Sequence, residues 1–139
     1  MTQTNRHAHA GAELRRAREA LREAEALQTL GLHNGAASRA YYGAFHAACA
    51  LLAAEDLRAR SHDGVQALLH ERWFGSGRLA PEHETAFGRL RNRRGVADYQ
   101  AVETITPEEA ASLVAAARAF VETASALLAD AAAKNPRDP

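Results

Sequence analysis

The stretch AASRAYYGAFHAACALLAAED, residues 36–56, decides the fold. Tyr41, Phe45, Ala48, Cys49 and Leu52 repeat with the spacing of one helical face, not with the two-residue alternation of a strand. Between them Ala37, Ala40, Gly43, Ala44 and Ala47 are small enough to let neighbouring backbones come close. A polar stripe crosses the same helix. Arg39, Tyr42 and His46 stand at i, i+3 and i+7, within an arc of about 60° and a length of roughly 10 Å. The stripe reads in two ways. It is either a set of polar groups satisfied by neighbouring helices, or a cleft offering a cation, a phenol and an imidazole that titrates near neutrality, suited to phosphate or a ribose hydroxyl.

Upstream, Leu14, Ala17, Leu21, Ala24 and Leu27 recur at three- and four-residue steps and predict an amphipathic helix over residues 12–30, stopped at Gly31. Downstream, Ser61 is placed to cap a shorter helix running through Val65, Leu68 and Leu69 to Trp73 and Phe74, with Gly75, Ser76 and Gly77 ending it. Pro81 at a first helical position, with Glu82 and Glu84 near the positive end of the dipole, starts a fourth helix that turns Phe87 and Leu90 inward. Thr106-Pro107-Glu108-Glu109 is a capping box, and it opens a long helix whose apolar face carries Leu113, Val114, Ala117, Phe120, Val121, Ala124, Leu127 and Leu128. No strand pattern competes, and the connections are short. The expected architecture is all-α, an up-and-down antiparallel bundle of four to five helices over residues 12–132. Residues 1–11 and 133–139 read as disordered tails.

The chain has 139 residues, enough for a single core, and its 17 basic and 17 acidic residues balance. That balance excludes the strong overall basic bias of non-specific nucleic-acid binders, so any such contact is local. Lys134 is the only lysine. Almost all positive charge is therefore guanidinium, which favours planar two-pronged contacts to carboxylate or phosphate. A single cysteine, Cys49, excludes an internal disulfide and fits a reducing, cytoplasmic setting. No apolar run approaches the ~20 residues of a membrane span, and none is expected.

A second polar group comprises Arg91, Asn92, Arg93, Arg94, Asp98 and Tyr99. If the fourth helix continues through Gly95, Arg91, Arg94 and Asp98 repeat the spacing of the first stripe. With Arg89 this is the one dense basic patch of the chain, either solvated arginines with an Arg94–Asp98 ion pair or a phosphate-binding set of guanidinium forks. Metal chemistry is not expected, because His46 and Cys49 supply only two ligands, and no cofactor is implied. Ser61, His62 and Asp63 are adjacent, and adjacent side chains diverge instead of forming a catalytic triad.

Taken in order, ASRAYYGAFHAACALL (residues 37–52), SHDGV (61–65), WFGSGRL (73–79) and RGVADY (94–99) resemble the HEPN domain family, in particular its small stand-alone proteins often paired with a minimal nucleotidyltransferase. The resemblance implies a helical bundle, commonly a homodimer, with a polar cleft. It also implies RNA or nucleotide binding in a toxin–antitoxin-like pair, and in many members metal-independent endoribonuclease activity through an Arg-x(4–6)-His motif. The candidate catalytic set on this chain is Arg94 and Asp98 from the motif region with His46 from the stripe on the second helix, and the candidate binding set is Arg39, Tyr42, Arg91, Asn92, Arg93 and Tyr99. The motif is altered here: four residues separate Arg93, and six separate Arg91, from Asp98, which stands where a histidine is expected. A carboxylate of ordinary pKa is a base at neutral pH but a poor acid. His46 or His62 is then the replacement imidazole, if the bundle brings either beside Arg94 or a dimer places one subunit's His46 against the other's Arg94. The alternative is a non-catalytic helical dimer that docks a nucleotidyltransferase and helps present its substrate.

Overall fold

The computed structural model describes residues 2–134 and contains five α-helices and no strand among them. These are α1 (Gln3–Thr29), α2 (His33–Ala54), α3 (His62–Leu69), α4 (Pro81–Tyr99) and α5 (Pro107–Lys134), with a single π-type turn, His70–Phe74, following α3. Helix α2 is the centre of the bundle. It packs against α1, α4 and α5, and α3 covers the end of the α2–α4 face. Ala36, Ala37, Ala40, Tyr41, Ala44, Ala47, Ala48 and Leu51 are fully buried, so α2 is surrounded on most of its circumference. The Gly43 hydrogens face α1, where an added Cβ would meet the Ala17 carbonyl oxygen at 3.4 Å. That closeness is why small residues dominate this helix.

Turn chemistry joins α1 to α2. Gly31 adopts φ 75°, the left-handed region glycine enters without penalty. The Leu32 N–H then reaches the Leu27 carbonyl and the Gly31 N–H that of Gln28, the paired bonds of a Schellman motif. The end of α2 repeats the device with Asp56 at φ 58° and Leu57 N–H bonded to the Leu52 carbonyl. Ser61 Oγ accepts from the Gly64 N–H at 2.9 Å. Thr106 and Glu109 each accept from the other's N–H, at 3.1 and 3.3 Å, completing the capping box.

Three expectations change. First, α1 begins at Gln3, so residues 3–11 are helical: Thr2 caps the helix, Ala10 is buried, and Arg58 stands against the His9 ring. Polar residues 3–9 show no apolar period, yet they need only extend a helix already formed by residues 12–29. At the other end α5 runs to Lys134, which makes residues 133–134 helical; Met1 and residues 135–139 lie outside the described residues. Second, the third helix is α-helical only to Leu69 before the π-type turn carries Trp73 into the core. Third, α5 is long and apolar enough, by length and composition, to cross a membrane. Its alanines raise the average despite Arg118 and Glu122, and its Leu113, Val114, Ala117, Phe120 and Val121 face is buried within the bundle.

Candidate functional site

Helix α4 continues without a break through Gly95, so Arg91, Arg94 and Asp98 do share one side of it. The Arg94 side chain is only 12% exposed. Its guanidinium carbon lies 5.1 Å from the Tyr41 ring centroid, 5.6 Å from that of Tyr42 and 5.8 Å from that of Tyr99. Three aromatic rings around one cation fix and partly desolvate it. Arg94 Nη1 also lies 3.8 Å from Asp98 Oδ2, and Ser38 Oγ donates to the same oxygen at 3.2 Å. Asp98 therefore ties α4 to α2. Arg94 Nε is buried with no hydrogen-bond partner among the described residues, an uncommon state for a strong donor.

His62 is the first residue of α3, held there by the Ser61 cap. Its Nδ1 lies 2.6 Å from Tyr41 Oη, and its ring stacks on Tyr41 and lies 4.5 Å from Phe45, centroid to centroid. Burial, then the positive charges of Arg94 and Arg91, lower the His62 pKa, with Asp63 opposing them. Burial pushes the Tyr41 phenol up to about 12 against the pull of the same two arginines. Tyr41 thus keeps its proton and His62 is neutral at physiological pH. In the tautomer with its proton on Nδ1, the imidazole donates to Tyr41 Oη and keeps Nε2 free to accept. Arg91 completes the group: Nη1 donates to Gln66 Oε1 at 2.8 Å and Nη2 pairs with Asp63 Oδ1 at 2.6 Å. Two guanidinium groups, a neutral imidazole and a protonated phenol thus converge from α2, α3 and α4. This chemistry suits an anion with an ionisable hydroxyl beside it.

The first stripe divides. Tyr42 reaches the cleft, but Arg39 pairs with Glu23 at 3.5 Å, lying over the Tyr42 ring, and His46 Nδ1 meets Glu13 Oε2 at 2.8 Å. Arg39 and His46 therefore belong to the α1–α2 seam, where α1 supplies the carboxylates. The hydrogen bond from His46 holds the Glu13 carboxyl below the usual carboxylate range. Within one chain it is His62, not His46, that lies in the field of Arg94. The basic patch disperses in the same manner. Arg93 turns to Glu109 and Glu103, at 3.0 and 3.7 Å, Arg89 donates to Ser112, and Asn92 is exposed. Two cleft residues, Ser38 and Tyr41, escape the sequence patterns. Tyr41 counts there among the apolar residues of α2, and the available signal was the one-turn spacing of Ser38 from Tyr41 and Tyr42. Cys49 is half-buried, and burial followed by the Glu13 charge pushes its thiol up to about 12, so it carries no thiolate.

The bundle is all-helical, and the family follows from the match along the chain. Residues 11–127 match the HEPN domain model, and the chain belongs to the HEPN domain family. Among its curated relatives is a Methanocaldococcus jannaschii protein named "Putative toxin MJ0605", 33% identical over 106 residues that cover 76% of this chain and 78% of the relative. A second from the same organism, named "Putative toxin MJ0142", is 29% identical over 101 residues, 73% of this chain and 69% of its own length.

Proposed function

We propose that this HEPN protein is a toxin-like endoribonuclease that works without a metal, acting in the cytoplasm as a homodimer and paired with a minimal nucleotidyltransferase. The observation that carries it is the placement of His62 Nδ1 at 2.6 Å from Tyr41 Oη, in the field of Arg94 and Arg91. This supplies the imidazole that the altered motif lacks at Asp98. In the proposed reaction His62 Nε2, on an imidazole held neutral, takes the proton of a ribose 2′-hydroxyl. The freed oxygen attacks the adjacent phosphorus, and the bond to the 5′-oxygen breaks. A cyclic 2′,3′-phosphate remains, and the departing 5′-oxygen takes a proton from solvent. Arg94, preset among three rings, meets the charge that builds on the phosphate oxygens, and needs no reorganisation to do so. Tyr41 orients the imidazole.

The nucleotidyltransferase partner rests on the resemblance of the ordered segments to the paired HEPN proteins, and the toxin role on the names of the two relatives. A second reading, a non-catalytic dimer that docks the nucleotidyltransferase, is favoured by Asp98, which occupies the motif position and is already engaged by Arg94 and Ser38. Incubating the purified protein with RNA in EDTA separates the two. Cleavage to cyclic phosphate ends that drops at least 100-fold in both His62→Ala and Arg94→Ala supports the nuclease. Cleavage that survives both changes but is lost in His46→Ala moves the site to the α1–α2 seam. No cleavage by the wild type leaves the docking reading standing.

A further inference from the structure

Tyr99 ends α4 and is 75% exposed, whereas Tyr41 is fully buried and Tyr42 is partly buried. Of the three rings that surround the guanidinium, only Tyr99 offers a broad face to an incoming molecule. We propose that Tyr99 is a nucleobase platform, on which an unpaired base next to the phosphate held by Arg94 stacks. The proposal rests on the phosphate-binding reading of Arg94 given above.

The geometry is that of a nucleotide. Arg94 Cζ lies 5.8 Å from the Tyr99 centroid and Nη1 lies 3.5 Å from its hydroxyl, so a phosphate on Arg94 leaves its own base one sugar away, over or beside the ring. A base in a duplex is stacked on both faces and paired at its edge, and cannot be offered to a side chain. An unpaired base can, and stacking on an aromatic ring accepts any base because each has a π-face. A second guanidinium lies along the same helix. Arg91 is held by Gln66 and by Asp63, and because the Asp63 side chain is 86% exposed, the ion-pair half of that hold is weak. It yields readily to a neighbouring phosphate of the same strand. The pattern of one stacked base flanked by two guanidinium groups follows a flexible single strand better than the fixed groove of an RNA helix.

The test uses the full chain and three fluorescein-labelled probes carrying 2′-O-methyl groups, which leave no hydroxyl to attack. They are a 12-nucleotide strand without self-complementarity, the same strand annealed to its complement, and an abasic sugar–phosphate strand of equal length. Anisotropy gives each Kd. Wild type is expected to bind the single strand at least tenfold more tightly than the duplex. Tyr99→Ala weakens single-strand binding about tenfold, Tyr99→Phe leaves it within about twofold, and neither moves the abasic strand. Arg94→Ala weakens all three. Tyr99 is exposed, so matched melting curves show that its variants are folded. Unchanged single-strand affinity in Tyr99→Ala, equal loss on the abasic strand, or equal affinity of wild type for duplex overturns the platform, while the Arg94→Ala loss keeps the phosphate reading. No binding of any probe by wild type overturns both.

Discussion

His62 and Tyr41 share a proton between atoms 2.6 Å apart, and their surroundings decide where it stays. Burial and two arginines disfavour a second proton on the imidazole, so its pKa in the folded chain lies below the ordinary 6.5. The unfolded chain therefore binds more protons than the folded chain once pH drops below about 6.5. Stability present above that value is lost as pH falls through the folded pKa of His62. Glu13, lowered from 4.5 chiefly by the His46 hydrogen bond, adds a second loss of the same sign in a more acid window. Urea unfolding at pH steps between 7.5 and 5 is expected to show falling stability in the wild type and a flatter profile in His62→Gln, which has no imidazole to titrate; equal slopes contradict the assignment. At this scale the sequence showed the residue types but not their pairings. The Arg39, Tyr42 and His46 stripe was legible, and so were the arginines of α4. That His46 meets Glu13, 33 positions away, and Tyr41 meets His62, 21 positions away, depends on how the helices dock.

Helix ends were the most legible elements, because capping chemistry is local. Ser61, Pro81 and Thr106 each start a helix where their side chains or ring predict, and Gly31 ends one. The start of α1 was not legible, since its first turns carry no apolar face and depend on propagation from the helix that follows. Gly95 made the continuation of α4 doubtful, and the helix passes through it because the turn on either side is anchored: Arg94 by the tyrosine rings, Asp98 by Ser38. An added Cβ at Gly95 meets no heavy atom within 4 Å. Gly95→Ala is thus expected to stabilise the protein by about 0.5–1 kcal/mol, through a smaller loss of backbone freedom on folding. A raised midpoint in denaturant with an unchanged slope is the expected result, and a lowered midpoint would mean that α4 needs the glycine.

For the whole molecule, the apolar faces of α2 and α5 were enough to specify an all-α bundle, and the short connections its antiparallel course. The order of packing was not readable, because small residues permit close approach without naming the neighbour. Placing α2 at the centre has a functional consequence. It presents Ser38, Tyr41 and Tyr42 toward α4 while Arg39 and His46 face α1, so one helix serves both the cleft and the seam. The central claim is that the cleft at His62 and Arg94, not the seam at His46, receives the phosphate of a nucleotide. It is tested most directly by following the imidazole signals in the NMR spectrum while uridine 3′-monophosphate is added. A bound dianion beside His62 favours its protonated form, so the account predicts a saturable shift of the His62 resonance with a raised pKa, no response from His46, and loss of the His62 response in Arg94→Ala. A His62 signal that stays still while His46 moves, or a response that survives Arg94→Ala unchanged, contradicts it.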